Sequence, residues 1–246
     1  MNSCTGMLKI LRFNWPWYAG AVVATAIGVW ALCRSDLASP WRWSALALLV
    51  LADLWLLLSL LVSHAIYDRS DVARGGWLGT LPNGAVAVFH FGQDEASALV
   101  AARLPHATLR TFDLYQPQRA GTPSLRRARA LARAARADEA ATIDRVPLAE
   151  GSIDLAVLAF AAHELRDHDG RVALFRELLR TVGGDGRLLV LEHLRDGWNL
   201  LAYGPGVFHF LSRQTWLRCF AAAGLLVVQE SRVTPWVRRF ELRQSP

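Results

Sequence analysis

Side chains that can hold or transfer a proton follow two apolar runs in the second half of the chain, and more come in the next loop. Histidine and glutamate often serve as general acids and bases, because their pKa can be tuned toward neutral pH. We predict that His163 and His193 act as bases or orient a reacting group. A helix cap or a buried neutral imidazole accounts equally well for either one. The candidate catalytic residues are His163, Glu164, His193, Tyr203 and His209, the last two as pocket walls.

Alternating strands and helices must position these groups. The predicted strands are 85–91, 108–112, 140–143, 153–160, 187–191, 225–229 and 237–242, and the predicted helices are 95–104, 124–136, 169–182 and 212–223. This alternation predicts an α/β fold with a doubly wound, mostly parallel, Rossmann-like sheet. The last two strands have no helix between them, which predicts a C-terminal antiparallel hairpin. The carboxyl ends of the parallel strands should carry the site.

Two long apolar segments precede this domain. Of the whole chain, 53% is hydrophobic and 20% is charged, and the mean hydropathy is +0.22. Residues 15–33 and 43–66 are each long enough to cross a bilayer, which takes about 20 apolar residues. Tryptophan and tyrosine lie near the ends of both segments, as is typical of membrane interfaces. We predict a tail at 1–14, a transmembrane hairpin at 15–67, a linker at 68–80 and a domain at 81–246.

Polar and small residues inside the spans suggest how the two helices pack. Asp53 lies near the middle of the second span, at the depth of Thr25, where a carboxylate costs ~2.5–3.5 kcal/mol on insertion scales. It forms a hydrogen bond to Thr25 or to a neighbouring subunit, or it contacts a proton or substrate. Gly20, Ala24 and Gly28 form a face of small residues. A homodimer through the transmembrane helices is therefore possible, while the flanking charges give no orientation.

Cysteines and basic residues exclude some classes of function. Cys4, Cys33 and Cys219 are too far apart in sequence to predict a disulfide framework or a CxxC metal site. Residues 114–137 contain six arginines and no acidic residue, and they account for the whole net charge of +6. The arginines at 126, 129, 133 and 136 lie on one helical stripe, which faces either solvent or anionic lipid. No aromatic residue interleaves with them, so we predict no nucleic-acid partner.

Two segments resemble the class I S-adenosylmethionine-dependent methyltransferases. PLAEGSIDLAVLAFAAHEL is similar to the family's segment leading into its fourth strand, and LFRELLRTVGGDGRLLVLEHL is similar to its helix, glycine turn and fifth strand. Among the branches, the chain resembles the ubiquinone/menaquinone-type C-methyltransferases. It is still more similar to membrane-anchored bacterial methyltransferase-like proteins that carry HELRD, EHLRD and HFxSR. The resemblance covers about 81–246 and implies S-adenosyl-L-methionine as cofactor.

The glycine-rich cofactor loop of that family is only partly kept. Gly92 matches its central glycine, whereas Val88 replaces the acidic residue of the motif. An acidic side chain at the end of the second strand grips both ribose hydroxyls in nucleotide-binding sheets, and Asp113 has this position. A turn cap is the alternative for Asp113. A helix beginning at Asp94–Glu95 would offer free N–H groups. The resemblance assigns cofactor binding to His90, Gly92, Asp94, Glu95, Asp113, Leu114 and Phe160.

Three functions compete at this point. The first is methyl transfer to a hydrophobic or membrane-associated small molecule, with the hairpin holding the enzyme at the lipid bilayer. The second is a non-catalytic relative that binds a nucleotide or a partner, and the third is a membrane scaffold. A dehydrogenase is disfavoured, because no G-x-G-x-x-G motif is present. Methyltransferases of this family do not generally need a metal, so we predict none. Because the cofactor is made in the cytosol, we expect a multi-pass protein of the inner (cytoplasmic) membrane with cytosolic termini and domain.

Overall fold

The computed structural model describes residues 4–80, 84–104, 107–119, 122–132 and 139–246. Two long helices come first, α1 (Thr5–Arg34) and α2 (Ser39–His64), and they pack antiparallel to each other. Both are long and apolar enough to cross a membrane, by length and composition. The Thr25 hydroxyl lies 3.1 Å from both carboxylate oxygens of Asp53, as one of the predicted alternatives required. The hairpin thus supplies a hydrogen-bond donor to its half-buried carboxylate internally.

Helix α1 begins ten residues before the predicted span, so that most of the predicted tail is helical. The carboxylate of Asp68 accepts hydrogen bonds from the N–H groups of Gly6 and Met7, at 2.7 and 2.9 Å. A carboxylate at this end of a helix satisfies free N–H groups and complements the helix dipole. The small-residue face is used only in part: a Cβ on Gly28 would meet Leu49, but one on Gly20 would meet nothing within 4 Å.

A short connection leads from the hairpin to the sheet. A turn of π-helix (Ala65–Arg69) continues α2, and it is followed by α3 (Asp71–Arg74) and a 3₁₀ turn (Gly76–Leu78). Trp77 and Leu78 of this turn are buried. The connection therefore packs against the domain instead of running free as a flexible linker.

Seven strands form one sheet. They are β1 (Ala85–His90), β2 (Thr108–Asp113), β3 (Glu139–Ala140), β4 (Ile153–Ala159), β5 (Val182–His193), β6 (Leu225–Thr234) and β7 (Val237–Gln244). Their order is β3-β2-β1-β4-β5-β7-β6, and among these described strands β7 runs antiparallel to both of its neighbours, β5 and β6. The predicted parallel sheet with a C-terminal antiparallel hairpin is therefore confirmed. The third strand is the shortest and pairs with β2 through two residues.

Side chains alternate across the sheet and build a core on each face. On β1, Phe89 joins one core and Val88 joins the other, which also contains Ile66 and Trp77 from the connection between hairpin and sheet. The helices are α4 (Ser97–Arg103), α5 (Pro123–Ala132), α6 (His168–Thr181), α7 (Gly197–Tyr203) and α8 (Arg213–Ala222). Helix α7 lies where the sequence predicted a loop.

Candidate active site

The carboxyl ends of β1, β2, β4 and β5 bring the predicted site residues to one edge of the sheet. Parallel strands place these ends side by side, and ligands of open α/β sheets bind there. The loop after β1 carries the predicted cofactor residues, and β2 ends at Asp113. A 3₁₀ turn after β4 (Ala162–Glu164) carries His163, and β5 ends at His193. A second 3₁₀ turn (Gly204–His209) completes the set.

Gly92 makes the sharp turn after β1. Its φ of +87° is in the left-handed region, which glycine adopts without a steric penalty. The N–H of Gly92 donates to Nδ1 of the buried His90 at 3.0 Å, so His90 holds the turn. Gly92, the predicted central glycine of the motif, therefore has a backbone conformation that favours glycine.

Arg129 occupies the space between this turn and Asp113. One oxygen of Asp113 accepts the N–H of Tyr115 at 3.0 Å, and the other accepts from the Arg129 guanidinium. That guanidinium lies 4.3 Å from the centre of the Tyr115 ring, and a Cβ on Gly92 would come within 2.7 Å of it. Asp113 is therefore both a turn cap and half of an ion pair.

Of the predicted arginine stripe, Arg126 is exposed on α5 and Arg129 is turned into the site. Arg129 points to Asp113, and Nε of Arg127 on the same helix donates to the carbonyl oxygen of Phe13 in α1 at 2.6 Å. A carboxylate therefore holds Arg129, and a carbonyl oxygen holds Arg127, which was not part of the predicted stripe. The predicted stripe members at 133 and 136 lie outside the described residues.

Asp94 caps the helix that was expected to offer free N–H groups. Helix α4 begins at Ser97, and the Asp94 carboxylate accepts the N–H groups of Ala96 and Ser97 at 3.1 and 2.8 Å. Burial alone would raise the pKa of Asp94, but the hydrogen bonds from Ser97 hold that pKa below its usual value. Glu95 accepts from Gln93 at 2.5 Å. The Leu114 side chain is fully buried in the core.

A charged cluster forms on the β4–β5 side of the site. Nδ1 of His163 donates to the buried Glu192 at 2.7 Å, and its Nε2 lies 3.6 Å from Glu164. Nε2 of His209 lies 3.7 Å from the same Glu164 oxygen. The other oxygen of Glu164 is buried and has no hydrogen-bond partner among the described residues. This Glu164 oxygen can therefore accept a further hydrogen bond.

The protonation states of the cluster follow from its carboxylates. Burial lowers the pKa of His163, but Glu192 and Glu164 outweigh burial and raise that pKa to about 10. Burial would raise the pKa of Glu164, yet hydrogen bonds from His163 and His209 hold that pKa well below its usual range. At neutral pH His163 is therefore a cation beside two carboxylates. In this state His163 donates hydrogen bonds, which suits an orienting group, and its predicted role as a base or an orienting group stays a prediction.

A neutral aromatic cluster adjoins the charged one. His193 donates through Nδ1 to the carbonyl oxygen of Trp236 at 3.0 Å, so its Nε2 accepts the Tyr67 hydroxyl at 2.8 Å. Burial lowers the pKa of His193 to about 4. Its ring stacks on Phe160 and on Phe210, with centroids 4.9 and 4.8 Å apart. Tyr203 packs edge-on against His193 at 5.7 Å.

Phe160 has a strained backbone. It is the only described residue other than glycine with a positive φ, at +50°. Such a conformation costs about 1–3 kcal/mol and is found most often at functional sites. Phe160 lies directly after β4 and contacts both Tyr67 and His193. Its ring thus joins the end of β4 to Tyr67 in the connection between hairpin and sheet.

Three of these ligand-type atoms are close enough to suggest a metal. One atom each of His163, Glu164 and His209 lies within 4.8 Å of the other two. Arg166, however, lies against Nδ1 of His209, and arginine can only donate hydrogen bonds. The His209 proton therefore sits on Nε2 and faces Glu164, where a metal would have to bind. The charges of the cluster also balance without an ion, and the absence of a metal stays a prediction.

Sequence reasoning missed three residues of the site, namely Tyr67, Arg129 and Arg166. Tyr67 looked like an interfacial aromatic residue at the end of a span, and Arg129 looked like part of a basic face. Each meets the site through a contact to a residue distant in sequence: Tyr67 lies 126 residues from His193. The one local signal was the HELRD segment, in which Arg166 follows the predicted His163 and Glu164.

Comparison with known proteins identifies the fold. No family model and no curated protein matches the chain. Among solved structures, the chain is similar to the mitomycin 7-O-methyltransferase MmcR, with a TM-score of 0.54 and 16% identity over 100% of this chain and 74% of that one. A geranyl diphosphate methyltransferase in complex with S-adenosylmethionine gives a TM-score of 0.51 and 14% identity, covering 76% and 90% of the two chains.

A third similar structure is a SAM-dependent methyltransferase from Aquifex aeolicus. It gives a TM-score of 0.50 and 14% identity over 72% of this chain and 92% of that one. At these identities the likeness concerns the fold. The sheet order, the antiparallel β7 and these neighbours together show the fold of class I SAM-dependent methyltransferases, as the sequence resemblance implied.

Proposed function

We propose that the protein transfers a methyl group from S-adenosyl-L-methionine to a hydrophobic, membrane-associated small molecule. One observation carries this proposal: the predicted cofactor residues and the charged cluster meet at one edge of a methyltransferase-fold sheet, beside the membrane hairpin. In this fold that edge is where a ligand binds. The acceptor class rests on the hairpin, and the branch of the family remains a resemblance to the ubiquinone/menaquinone-type enzymes.

The β1–β2 side of the edge suits a nucleoside. Asp113 offers a carboxylate for the ribose hydroxyls, and the glycine turn at Gly92 lets the backbone come close. S-adenosylmethionine, when bound, supplies a sulfonium-activated methyl group. The task of the protein is then to align an acceptor with it, and such positioning can supply much of a rate enhancement. For the cofactor to reach Asp113, the Arg129 guanidinium must leave that carboxylate.

The β4–β5 side suits an acceptor with one polar end. The unused oxygen of Glu164 can accept a hydrogen bond from an O–H or N–H group of the acceptor. Protonated His163 stabilises Glu164 as a carboxylate, and Glu192 fixes the His163 ring. The aromatic cluster of Phe160, His193, Tyr203 and Phe210 forms the apolar wall beside it. Polar orientation next to an apolar wall fits an acceptor that is mostly hydrophobic.

Helix α7 provides a route from the bilayer. Nε1 of Trp55, in the middle of α2, donates to the carbonyl oxygen of Leu201 in α7 at 2.7 Å. Trp55 lies nine residues before the end of α2, which is about 14 Å along a helix. Helix α7 therefore lies beside a span, at a depth that we assign to the bilayer. Its segment exposes four large apolar side chains, those of Trp198, Leu200, Leu201 and Phe208.

The membrane setting follows from the same elements. The start of α1 and the end of α2 lie together at the domain, so both termini and the domain belong on one side of the membrane. Cytosolic supply of the cofactor favours the cytosolic side of the inner membrane. The exposed apolar surface of α1 and α2 supports a multi-pass protein, because soluble proteins rarely expose such large apolar patches.

A non-catalytic relative is the second candidate, and a specific observation favours it. The Arg129 guanidinium lies where the ribose of a nucleotide would bind Asp113, and two of the three motif glycines are replaced. A domain that never releases Arg129 would bind a partner and transfer no methyl group. Cofactor binding and methyl transfer, measured together, distinguish the two candidates.

Calorimetric titration of S-adenosylmethionine and its demethylated product into the full chain in detergent tests the proposal. We expect binding, and we expect Asp113→Ala to weaken it at least tenfold, because two charge-assisted hydrogen bonds of about 1.5–3 kcal/mol each are lost. A radiolabelled methyl group should then enter a component of a membrane lipid extract. Absence of binding would overturn the proposal, and binding without turnover on any extract would favour the non-catalytic candidate.

A further inference from the structure

A cavity of about 480 Å³ lies away from the candidate active site. The connection between hairpin and sheet forms one wall, with Trp77, Gly79 and Thr80, and the strands β5, β6 and β7 form the other. Arg187 begins the core of β5, six residues before His193, so about 20 Å of strand separates the two sites. Neither the fold nor the proposed methyl transfer uses this cavity.

Three nitrogen donors of the cavity-lining side chains have no acceptor in the part of the chain that the structure describes. They are Nε1 of Trp77, Nε of Arg187 and Nε of Arg239, and all three are buried. Trp77 is 4% exposed and Arg239 is 8% exposed. A buried donor without an acceptor costs free energy, so native proteins seldom leave one. The side chains that line the cavity therefore carry more hydrogen-bond donors than the described residues supply acceptors.

The other contacts of the two arginines hold them in place. Arg239 donates to Gln229 at 2.9 Å and to Glu241 at 2.7 Å. Arg187 donates to the carbonyl oxygen of Thr80 and lies 3.5 Å from Glu241. One carboxylate therefore fixes both guanidinium groups without satisfying their Nε–H groups. The two arginines are preorganised before a ligand arrives.

The charge of the lining is basic. Arg187, Arg239 and the exposed Arg232 line the cavity, against the carboxylates of Glu241 and Asp71. Asp71 is paired with Arg74 at 3.2 Å, outside the lining, and so adds little negative charge to the cavity. Guanidinium groups bind phosphate well, because their planar donors match its oxygens. The cavity is also larger than a phosphate group, which leaves room for a substituent.

We propose that this cavity binds a phosphate group, free or carried as a phosphomonoester, or as the headgroup of a lipid. The proposal is independent of the methyl-transfer proposal. Because the ligand would contact both the connection and the outer strands, its binding would join the hairpin more firmly to the edge of the sheet.

The test is calorimetric titration of inorganic phosphate into the full chain in a neutral detergent, at constant ionic strength in chloride. We expect saturable binding with one site per chain. Arg232→Gln should weaken it at least fivefold, and Arg239→Gln should abolish it. The matched control is Arg218→Gln on α8, which removes the same charge from an exposed position outside the cavity. It should leave the affinity unchanged.

Nanodiscs distinguish the two sources of the phosphate group. If a lipid supplies it, discs of phosphatidylglycerol should block the titration of inorganic phosphate and discs of phosphatidylcholine should not. If a soluble compound supplies the phosphate group, inorganic phosphate should bind equally well in both kinds of nanodisc. Absence of saturable phosphate binding in detergent, or equal weakening by Arg218→Gln and Arg232→Gln, would overturn the proposal. Arg232 is exposed, so its variant remains informative even where Arg239→Gln does not fold.

Discussion

At the residue scale, Arg129 and the ribose of a nucleotide compete for the same carboxylate of Asp113. The guanidinium is held by that carboxylate and by the Tyr115 ring, and both contacts are lost when it leaves. Breaking these two contacts of Arg129 costs free energy, and this cost is subtracted from the binding free energy of the cofactor. The apparent affinity of the cofactor is lowered accordingly.

We predict that Arg129→Ala tightens the binding of S-adenosylmethionine about tenfold, because a charge-assisted hydrogen bond worth about 1.5–3 kcal/mol no longer has to be broken. Titration calorimetry in detergent measures this effect. Arg218→Ala on the exposed face of α8 serves as the charge-matched control. Weaker binding by Arg129→Ala would mean that the guanidinium is itself a cofactor ligand.

The buried ion pairs of His163 predict a dependence of stability on pH. The folded state raises the pKa of His163 from 6.5 to about 10. This group therefore contributes stability that is fully present below pH 6.5 and is lost as the pH rises toward 10. In His163→Gln the contribution is absent at every pH.

We accordingly expect the difference in thermal unfolding midpoint between the wild type and His163→Gln to be largest near pH 6 and to shrink toward pH 10. Differential scanning fluorimetry of both proteins in the same detergent measures it. Subtracting the variant removes the contribution of other titrating groups. A difference that stays constant over this range would contradict the ionised state of His163.

Individual residues of the site were predictable to different extents. The place of His163, Glu164 and His193 at the edge of the sheet was predictable, because apolar runs reveal β4 and β5, and these residues lie shortly after β4 or at the end of β5. The protonation states of the two histidines were not predictable. That of His163 depends on Glu192, which lies 29 residues away, and that of His193 depends on Trp236 at a distant turn. Position along a strand is a local property, whereas the pKa of a buried group is set by the whole fold.

At the element scale, helix α7 shows which elements the sequence concealed. The strands β4 and β5 are long apolar runs, and both were predicted. Helix α7 has seven residues, too few to show a helical period, although Asp196 caps it by accepting the N–H of Asn199 at 3.0 Å. Short helices depend on tertiary packing more than on propensity. For α7 that packing is against Trp55 of α2.

Gly204 ends α7 and tests this packing. Its φ of +54° and ψ of −133° suit only glycine, and a Cβ there would lie 3.2 Å from the Trp55 ring. We predict that Gly204→Ala destabilises the protein by about 1–3 kcal/mol through backbone strain, with further loss from the contact. Chemical denaturation in detergent, followed by tryptophan fluorescence, measures it.

Gly197→Ala is the matched control for Gly204→Ala. Gly197 begins the same helix, and a Cβ there would meet nothing within 4 Å. Because alanine has the higher helix propensity, Gly197→Ala should leave the stability unchanged or slightly raised. Equal destabilisation by the two variants would mean that α7 is not held against the hairpin.

At the scale of the whole molecule, the helical hairpin of α1 and α2 is part of the architecture of the candidate site. Asp68 binds the start of α1, Tyr67 reaches His193, and Ile66 is buried in the domain core. Removal of residues 1–70 would therefore remove site and core residues together with the anchor. Whether the hairpin brings the enzyme to its acceptor must be tested in the full chain, by changing only the surface that faces lipid.

The double variant Trp198→Gln/Leu201→Gln makes such a change. Both side chains are exposed on α7, beside the span. If the acceptor enters from the bilayer along α7, the double variant should lower kcat/KM at least fivefold for acceptor embedded in liposomes, because the site no longer sits at the right depth. The affinity for S-adenosylmethionine, and the rate with a water-soluble acceptor analogue, should stay unchanged, since neither side chain contacts the described site residues through a hydrogen bond.

The control places the same loss of apolar surface elsewhere on the domain. Leu226 and Val228 on β6 are 51% and 47% exposed, close to the values for Trp198 and Leu201, 48% and 64%. Leu226→Gln/Val228→Gln should therefore leave the liposome rate unchanged. Radiolabelled methyl transfer in liposomes and in detergent, compared for the three proteins, decides the question. If both double variants keep the full liposome rate, the acceptor does not enter through α7. The proposal of a lipid-borne acceptor would then be rejected, whereas the fold and the proposed cofactor site would be unaffected.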